Sequence, residues 1–226
     1  MYGRFANALS LERMRQAFHL AGPAPDWLPS WNIAPRQPVA VVRRHPVSHD
    51  LRLDLLLWGL VPNWAHDMGR QPINARAETV ATSGMFRAAF RSRRCLVPAT
   101  AYYEWQSGPP PRQPWAFARR DGKPLALAAI WESWEYEGDI LRSFAIVTTQ
   151  ASAATRSIHD RMPVIIADQD RDAWFGAPPA IAERLLVPAP VDMLQAWRVG
   201  TRINKVGHDG PDLLAPVEGG IFPEEK

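Results

Sequence analysis

"WAFARRDGKPLALAAIW" (residues 115–131) decides the fold class, because two apolar runs flank Asp121-Gly122, a pair with tight-turn chemistry. The spacing predicts a β-hairpin. Outward from it, residues 39–42 and the alternation of Leu51, Leu53, Leu55 and Leu57 with Arg52 and Asp54 read as strands. Further short strands are expected at 95–97, 102–105, 144–149 and 164–167. Helical signals are few. Ser10 caps a stretch in which Leu11, Met14, Phe18 and Ala21 recur at helical spacing before Gly22 and Pro23; a second stretch covers 85–93. Asp170 caps a short helix through Trp174, and 180–185 forms another. "SGPPPRQP" (107–114) is a hairpin tip rather than a domain boundary. The pattern predicts an α+β fold: a single domain with a curved, partly closed mixed β-sheet flanked by a few short helices.

The totals agree with one sizeable core. The chain has 226 residues, 46% of them hydrophobic, and ten are tryptophan. No apolar run approaches the roughly 20 residues that cross a bilayer, and the start lacks a basic region followed by an apolar core, so no membrane association and a cytoplasmic location are expected. The one cysteine, Cys95, excludes a disulfide framework and a thiolate-rich metal site. A net charge of +3 is compatible with a polyanionic partner but far from a coating tail.

Three stretches carry candidate chemistry. In "INARAET" (73–79), Asn74, Arg76 and Glu78 alternate, so an extended chain turns all three to one side. An ordinary polar strand face reads the same way. "YYEW" (102–105) sets Glu104 among aromatic rings, which raise a carboxyl pKa toward the range of acid-base catalysis; a structural Glu paired with an arginine is the competing reading. "IHDRMP" (158–163) brings His159, Asp160 and Arg161 together, with a titratable neighbour at hand for the histidine. Elsewhere, Pro46 argues against a helical metal pair at His45 and His49, and Cys95 reads as an inert core thiol. Arg87, Arg91, Arg93 and Arg94 form either a phosphate-facing patch or a solvated helix face.

Taken in order, "GRF" (3–5), "WNIAP" (31–35), "WGLVPNW" (58–64), "INARAET", "RCLVPATAYYEW" (94–105) and "IHDRMPVII" (158–166) resemble the SOS response-associated peptidase family; "VGTRINKVGHDGPDLL" (199–214) resembles its closing motif. The resemblance implies a single domain over 1–222 followed by a short acidic tail, 223–226. It also implies a DNA-damage response protein that binds single-stranded DNA at abasic sites and captures the opened sugar aldehyde at its own N-terminus. In the family, Cys at position 2 supplies an amine for an imine and a thiol that closes a thiazolidine ring. Here position 2 is Tyr. A phenol with a pKa near 10 cannot close that ring, although an imine from a free terminal amine remains possible. Removal of the initiator Met normally needs a small second residue, so Met1 is expected to stay. A natural non-crosslinking member, an inactivating substitution and a sequence error each account for Tyr2.

Carried over residue by residue, the resemblance makes Glu104 the proton donor and acceptor during sugar-ring opening and His159 the group that polarises the same oxygen. Asn74 orients the aldehyde carbon. Arg4, Arg76 and Arg161 meet backbone phosphates, while Asn32, Pro35 and Trp64 shape the groove and offer a stacking face. Ala65 lacks the second aromatic of some members. The resemblance implies no cofactor and no metal. The expected partner is single-stranded DNA with abasic sites, engaged by a monomer that joins the nucleoid when bound. Two alternatives stand: a peptidase that processes its own N-terminus, with Glu104 and His159 assisting, and a non-catalytic single-strand binder.

Overall fold

Ser10 starts the first helix, α1 (Leu11–Phe18), by accepting the Arg13 amide on its side chain at 3.2 Å. The helix stops before the expected Gly22, because His19 turns left-handed (φ 51°) and its amide closes on the Arg15 carbonyl. The computed structural model describes residues 3–221. Position 2 and the acidic stretch 223–226 lie outside the described residues.

The strands in chain order are β1 (Phe5–Asn7), β2 (Ser30–Ile33), β3 (Pro38–Arg44), β4 (Leu51–Trp58), β5 (Asn74–Arg76), β6 (Arg94–Ala99) and β7 (Ala101–Trp105). They continue with β8 (Pro114–Arg119), β9 (Leu125–Tyr136), β10 (Asp139–Gln150), β11 (Arg161–Pro163), β12 (Leu194–Val199) and β13 (Pro216–Ile221). The remaining helices are α2 (Arg87–Ser92), α3 (Arg171–Gly176) and α4 (Pro179–Glu183). One sheet runs β13-β12-β8-β7-β1-β2 and the other β11-β10-β4-β3-β6-β9, with β5 beside β10. Because β9 also pairs with β10, the strands β10, β4, β3, β6 and β9 complete a circuit and the second sheet curls on itself. β10 runs parallel to β4 and β5 and antiparallel to β9 and β11, so the sheet is mixed. The single α+β domain with a curved, partly closed sheet is the one the strand pattern predicts.

The hairpin that suggested it is absent. Gly122 does turn (φ 70°), but β8 and β9 leave in different sheets. β9 already has β6 on one edge and β10 on the other, and β8 lies between β7 and β12, so neither has an edge free for its neighbour in sequence. The turn is held instead by charge: Arg119 grips Asp121 at 2.9 and 2.7 Å and Asp168 at 3.3 Å. The expected tip at 107–114 does join a hairpin, with Trp105 opposite Pro114.

Burial on both faces explains the long apolar runs. In β9, Leu125, Leu127 and Ala129 face a core shared with Phe5, Tyr102 and Phe117 of the other sheet, while Ala126, Ala128 and Ile130 face Met14, Phe18, Phe90 and Trp174 of the helices. The same geometry splits Leu53 from Leu56 across β4 and leaves Leu55 partly exposed, which breaks the simple alternation expected there. The strand expected at 164–167 is a single bridge from Ile165 to Leu127; the strand is β11 just before it. Val164 donates to Val147 and Ile166 to Ala126, so this segment is shared between β10 and β9 rather than laddered to one. α3 forms as expected, yet Asp170 makes no side-chain cap.

Candidate active site

The site gathers where the two sheets meet. In β7, Tyr102 points into the core between the sheets and stacks on Phe117 at 4.7 Å, whereas Tyr103 points the other way and donates its hydroxyl to the Trp31 carbonyl. Glu104 shares the parity of Tyr102 and is only 2% exposed. Burial pushes its carboxyl up to about 7. Its Oε1 lies 4.0 Å from Nδ1 of His159, too far for a direct hydrogen bond and close enough for one shared oxygen between them. Burial lowers the His159 pKa, against the pull of Asp160 at 3.0 Å. Its Nδ1 accepts the Arg161 amide at 3.0 Å.

The chain start is delivered to the same place. Phe5 pairs with Tyr102 and Ala6 with Ala101, and the Arg4 carbonyl accepts the Tyr103 amide at 3.0 Å. Continued beyond its paired residues, this register would lead the chain start toward Glu104.

β10 organises the opposite wall. Asn74 and Arg76 of β5 lie in register with Ile146 and Thr148, and Arg161 of β11 with Gln150. The strand ends at Arg76, where the Val80 amide closes a turn on the Arg76 carbonyl, so Glu78 is not on the extended face expected for it. Glu78 instead binds the Arg161 fork at 2.6 and 3.0 Å, which holds its carboxyl below the ordinary range. Arg161 also donates to the Thr148 carbonyl at 2.6 Å, so its guanidinium is shared among protein groups.

The expected phosphate and groove residues divide. Arg76 is exposed on the groove side and Trp64 is 60% exposed, both available to a ligand. Pro35 is half-buried. Arg4 is half-buried, donating to Asn32 Oδ1 at 2.6 Å and to the Ile203 carbonyl at 2.7 Å, and desolvation lowers its pKa. Asn32 is buried and donates to the Lys205 and His208 carbonyls at 2.9 and 2.7 Å. It ties the segment around 201–208 to β2 rather than presenting itself to a strand. Of the arginines read as either a phosphate-facing patch or a solvated helix face, Arg87 and Arg91 are exposed, while Arg93 and Arg94 turn to protein partners. Arg94 is buried on the carbonyls of Phe90, Trp174 and Ala177, and Arg93 pairs with Glu132 at 2.7 Å. Cys95 is fully buried and its thiol pKa is raised, in keeping with an inert thiol.

Two features escaped sequence reasoning. A groove of about 700 Å³ is lined by Asn74 and Arg76 together with Arg36, Arg70, Ile73 and Phe86. Arg36 and Arg70 lie in Pro/Gly-marked loops whose direction no periodicity fixes. Beside Trp64, the Ala65 carbonyl accepts the Trp134 indole N–H at 2.7 Å, and Trp134 stacks on Tyr136, which is 48% exposed. The strand β9 thus brings aromatics to the loop where Ala65 has none. Among the described residues, no group of three His, Cys, Asp or Glu could hold a metal ion, and no helix is long and apolar enough to cross a membrane.

Relatives have this architecture. A solved protein of Bordetella bronchiseptica superposes with a TM-score of 0.77 at 27% identity, covering 88% of this chain and 99% of that one. One from Bacteroides thetaiotaomicron, at 0.80 and 21% identity over 94% of this chain and 99% of its own, shows the fold alone. By sequence, the chain is 32% identical over 223 residues to the abasic site processing protein YoqW of Bacillus subtilis, covering 95% of this chain and 99% of the relative. It is 30% identical over 198 residues to the abasic site processing protein YedK of Escherichia coli, covering 85% and 87%. The sequence profile of the SOS response associated peptidase (SRAP) family matches residues 1–206, and the chain belongs to that family.

Proposed function

We propose that this protein binds single-stranded DNA at abasic sites in the DNA-damage response, in a site arranged for aldehyde capture at its own N-terminus. The observation that carries the reading is the Glu104–His159 pair, on the strand β7 that pairs with β1 just after the chain start. A carboxyl that titrates near 7 both gives and takes a proton at neutral pH, as ring opening of the sugar and loss of water from a carbinolamine require. The names of the relatives, abasic site processing proteins, point to the same substrate. Asn74 orients the aldehyde carbon, Arg76 meets a backbone phosphate, and Trp64 with Pro35 stacks on a neighbouring base. Arg4 and Arg161 act from their protein hydrogen bonds, fixing the walls and adding positive charge.

Tyr2 limits the chemistry. An amine at the chain start forms a C–N bond to the aldehyde carbon and releases water, giving an imine; the stable ring needs a thiol that Tyr2 does not have. Intact mass after incubation with a single-stranded oligonucleotide carrying one abasic site tests this. The expected result is retained binding, an adduct only after borohydride reduction, and a stable adduct without reduction in Tyr2→Cys once Met1 is removed. Binding no tighter than to intact duplex across a salt titration would overturn the reading. A chain start led by β1 toward the strand of Glu104 also suits self-processing, the peptidase reading; a purified chain whose mass lacks Met1 would favour it.

A further inference from the structure

The outer face of the first sheet, turned away from the core between the sheets, carries a smaller cluster that the proposed chemistry does not use. Tyr103, Val199, Ile203 and Leu213 are buried there, with Trp105 packed against them. Part of the cover is a short 3-10 turn, Thr201–Asn204, from the far end of the chain. Two neighbouring residues of that turn reach the strands below. The Ile203 carbonyl accepts Arg4 Nη1 at 2.7 Å, and Asn204 Oδ1 accepts the Trp105 indole N–H at 2.8 Å. The Arg4 guanidinium in turn lies over the Trp105 ring, 5.9 Å from its centre. One turn thus grips Arg4 twice, directly through a carbonyl and indirectly through a ring that Asn204 orients.

What Arg4 anchors is the chain start. Its carbonyl accepts the Tyr103 amide at 3.0 Å, and the residue before it is Gly3, which imposes no direction of its own on the chain. Among the described residues, Arg4 is therefore the last side chain that can aim the N-terminal amine. Trp105 also meets the site from the other side, because its amide draws the Glu104 carboxyl down against the effect of burial. A ring that swings moves the anchor of the amine and disturbs the backbone next to the proton-transfer group. Asn204 itself is exposed, where water can replace its hydrogen bond, so that bond contributes little to folding. Its consequence is orientation, and a reaction between two held groups is sensitive to orientation at well below the size of a side chain.

We infer that Asn204 is a positioning residue for capture at the chain start, acting through the Trp105 ring on Arg4. The inference rests on the capture reading above and adds to it a control point on the outer face of the sheet, about a hundred residues along the chain from the strand it orients. The test compares the parent chain with Asn204→Ala, which loses the acceptor, and Asn204→Asp, which keeps an oxygen that accepts the indole N–H. Three quantities are read: melting temperature, affinity for a single-stranded oligonucleotide with one abasic site, and the rate of borohydride-trapped adduct at saturating oligonucleotide. For Asn204→Ala the expected result is the parent's melting temperature and affinity with a saturated trapping rate lower by about tenfold. Asn204→Asp should recover the rate to within about twofold of the parent, and because the rate is read at saturation, any effect of the added charge on affinity does not enter it. A merely structural asparagine would lower the melting temperature and leave the saturated rate alone. Trapping by Asn204→Ala at the parent's rate, or a loss in Asn204→Asp as deep as in Asn204→Ala, overturns the inference and leaves the capture reading intact. Weakened affinity with an unchanged saturated rate overturns it too, by making Asn204 a DNA contact. A parent chain that forms no trapped adduct overturns both.

Discussion

A carboxyl group shut between two sheets keeps its proton longer than one in water, and for Glu104 the balance falls at about 7 rather than the ordinary 4.5. The folded state therefore binds more protons than the unfolded chain between those two values. The stability contributed by protonated Glu104 is complete below about 4.5 and is lost as pH rises through 7. At about 1.4 kcal/mol per pH unit across that window, ionised Glu104 costs the fold on the order of 3 kcal/mol at pH 8. Glu104→Gln is expected to melt higher than the parent at pH 8 and by a smaller margin at pH 5, while borohydride-trapped imine falls by about a hundredfold. A melting difference that does not change with pH would mean that the carboxyl titrates as in water. At this scale the sequence was informative where chemistry is local: aromatic neighbours marked Glu104 as a raised carboxyl, and burial supplies the shift. It did not reveal the partners of Arg4 and Asn32, since Ile203, Lys205 and His208 come from the far end of the chain.

Elements were legible in proportion to how far their determinants lie within them. The start of α1 is set by Ser10 three residues from its amide partner, and the β7–β8 hairpin by the insert between its strands. The Asp121-Gly122 hairpin misled because turn chemistry fixes a reversal of direction and not the partner of the emerging strand, which the free edges of two sheets decide. Asn32 shows the same principle in the opposite direction, since a residue read as a groove wall is the latch between β2 and the 201–208 segment. Asn32→Ala would leave two carbonyls and one guanidinium N–H without their partner. At about 1–3 kcal/mol per orphaned buried group, a loss of about 3 kcal/mol is expected, read as a lowered urea midpoint. Asn32→Asp keeps an acceptor for Arg4 but cannot donate to both carbonyls, so most of the loss should persist. Full stability in Asn32→Asp would assign the effect to Arg4 alone.

Across the whole molecule, the core and the site are joined through Trp58. Its ring is fully buried between the sheets, 5.2 Å from Phe5 edge to face and 6.3 Å from Phe144. Its indole N–H donates to the Ile73 carbonyl at 2.9 Å, and Ile73 immediately precedes Asn74. One side chain thus packs the strand that leads to the N-terminus, packs β10, and sets the height at which β5 enters the site. Trp174 offers a matched comparison: it is also fully buried and donates its indole N–H to the Cys95 carbonyl at 2.9 Å, but in the core under the helices. Replacing either by Phe removes one ring and one indole hydrogen bond to a carbonyl, although Ile73 keeps the Ile146 amide at 3.0 Å, so each should cost about 2–4 kcal/mol in urea unfolding. Their effects on the site should diverge. Well below both melting temperatures, Trp58→Phe is expected to lower borohydride-trapped adduct by about tenfold because Asn74 loses its support, while Trp174→Phe should trap as the parent does. Equal trapping by the two variants would reduce Trp58 to a core residue and detach the placement of Asn74 from the packing between the sheets.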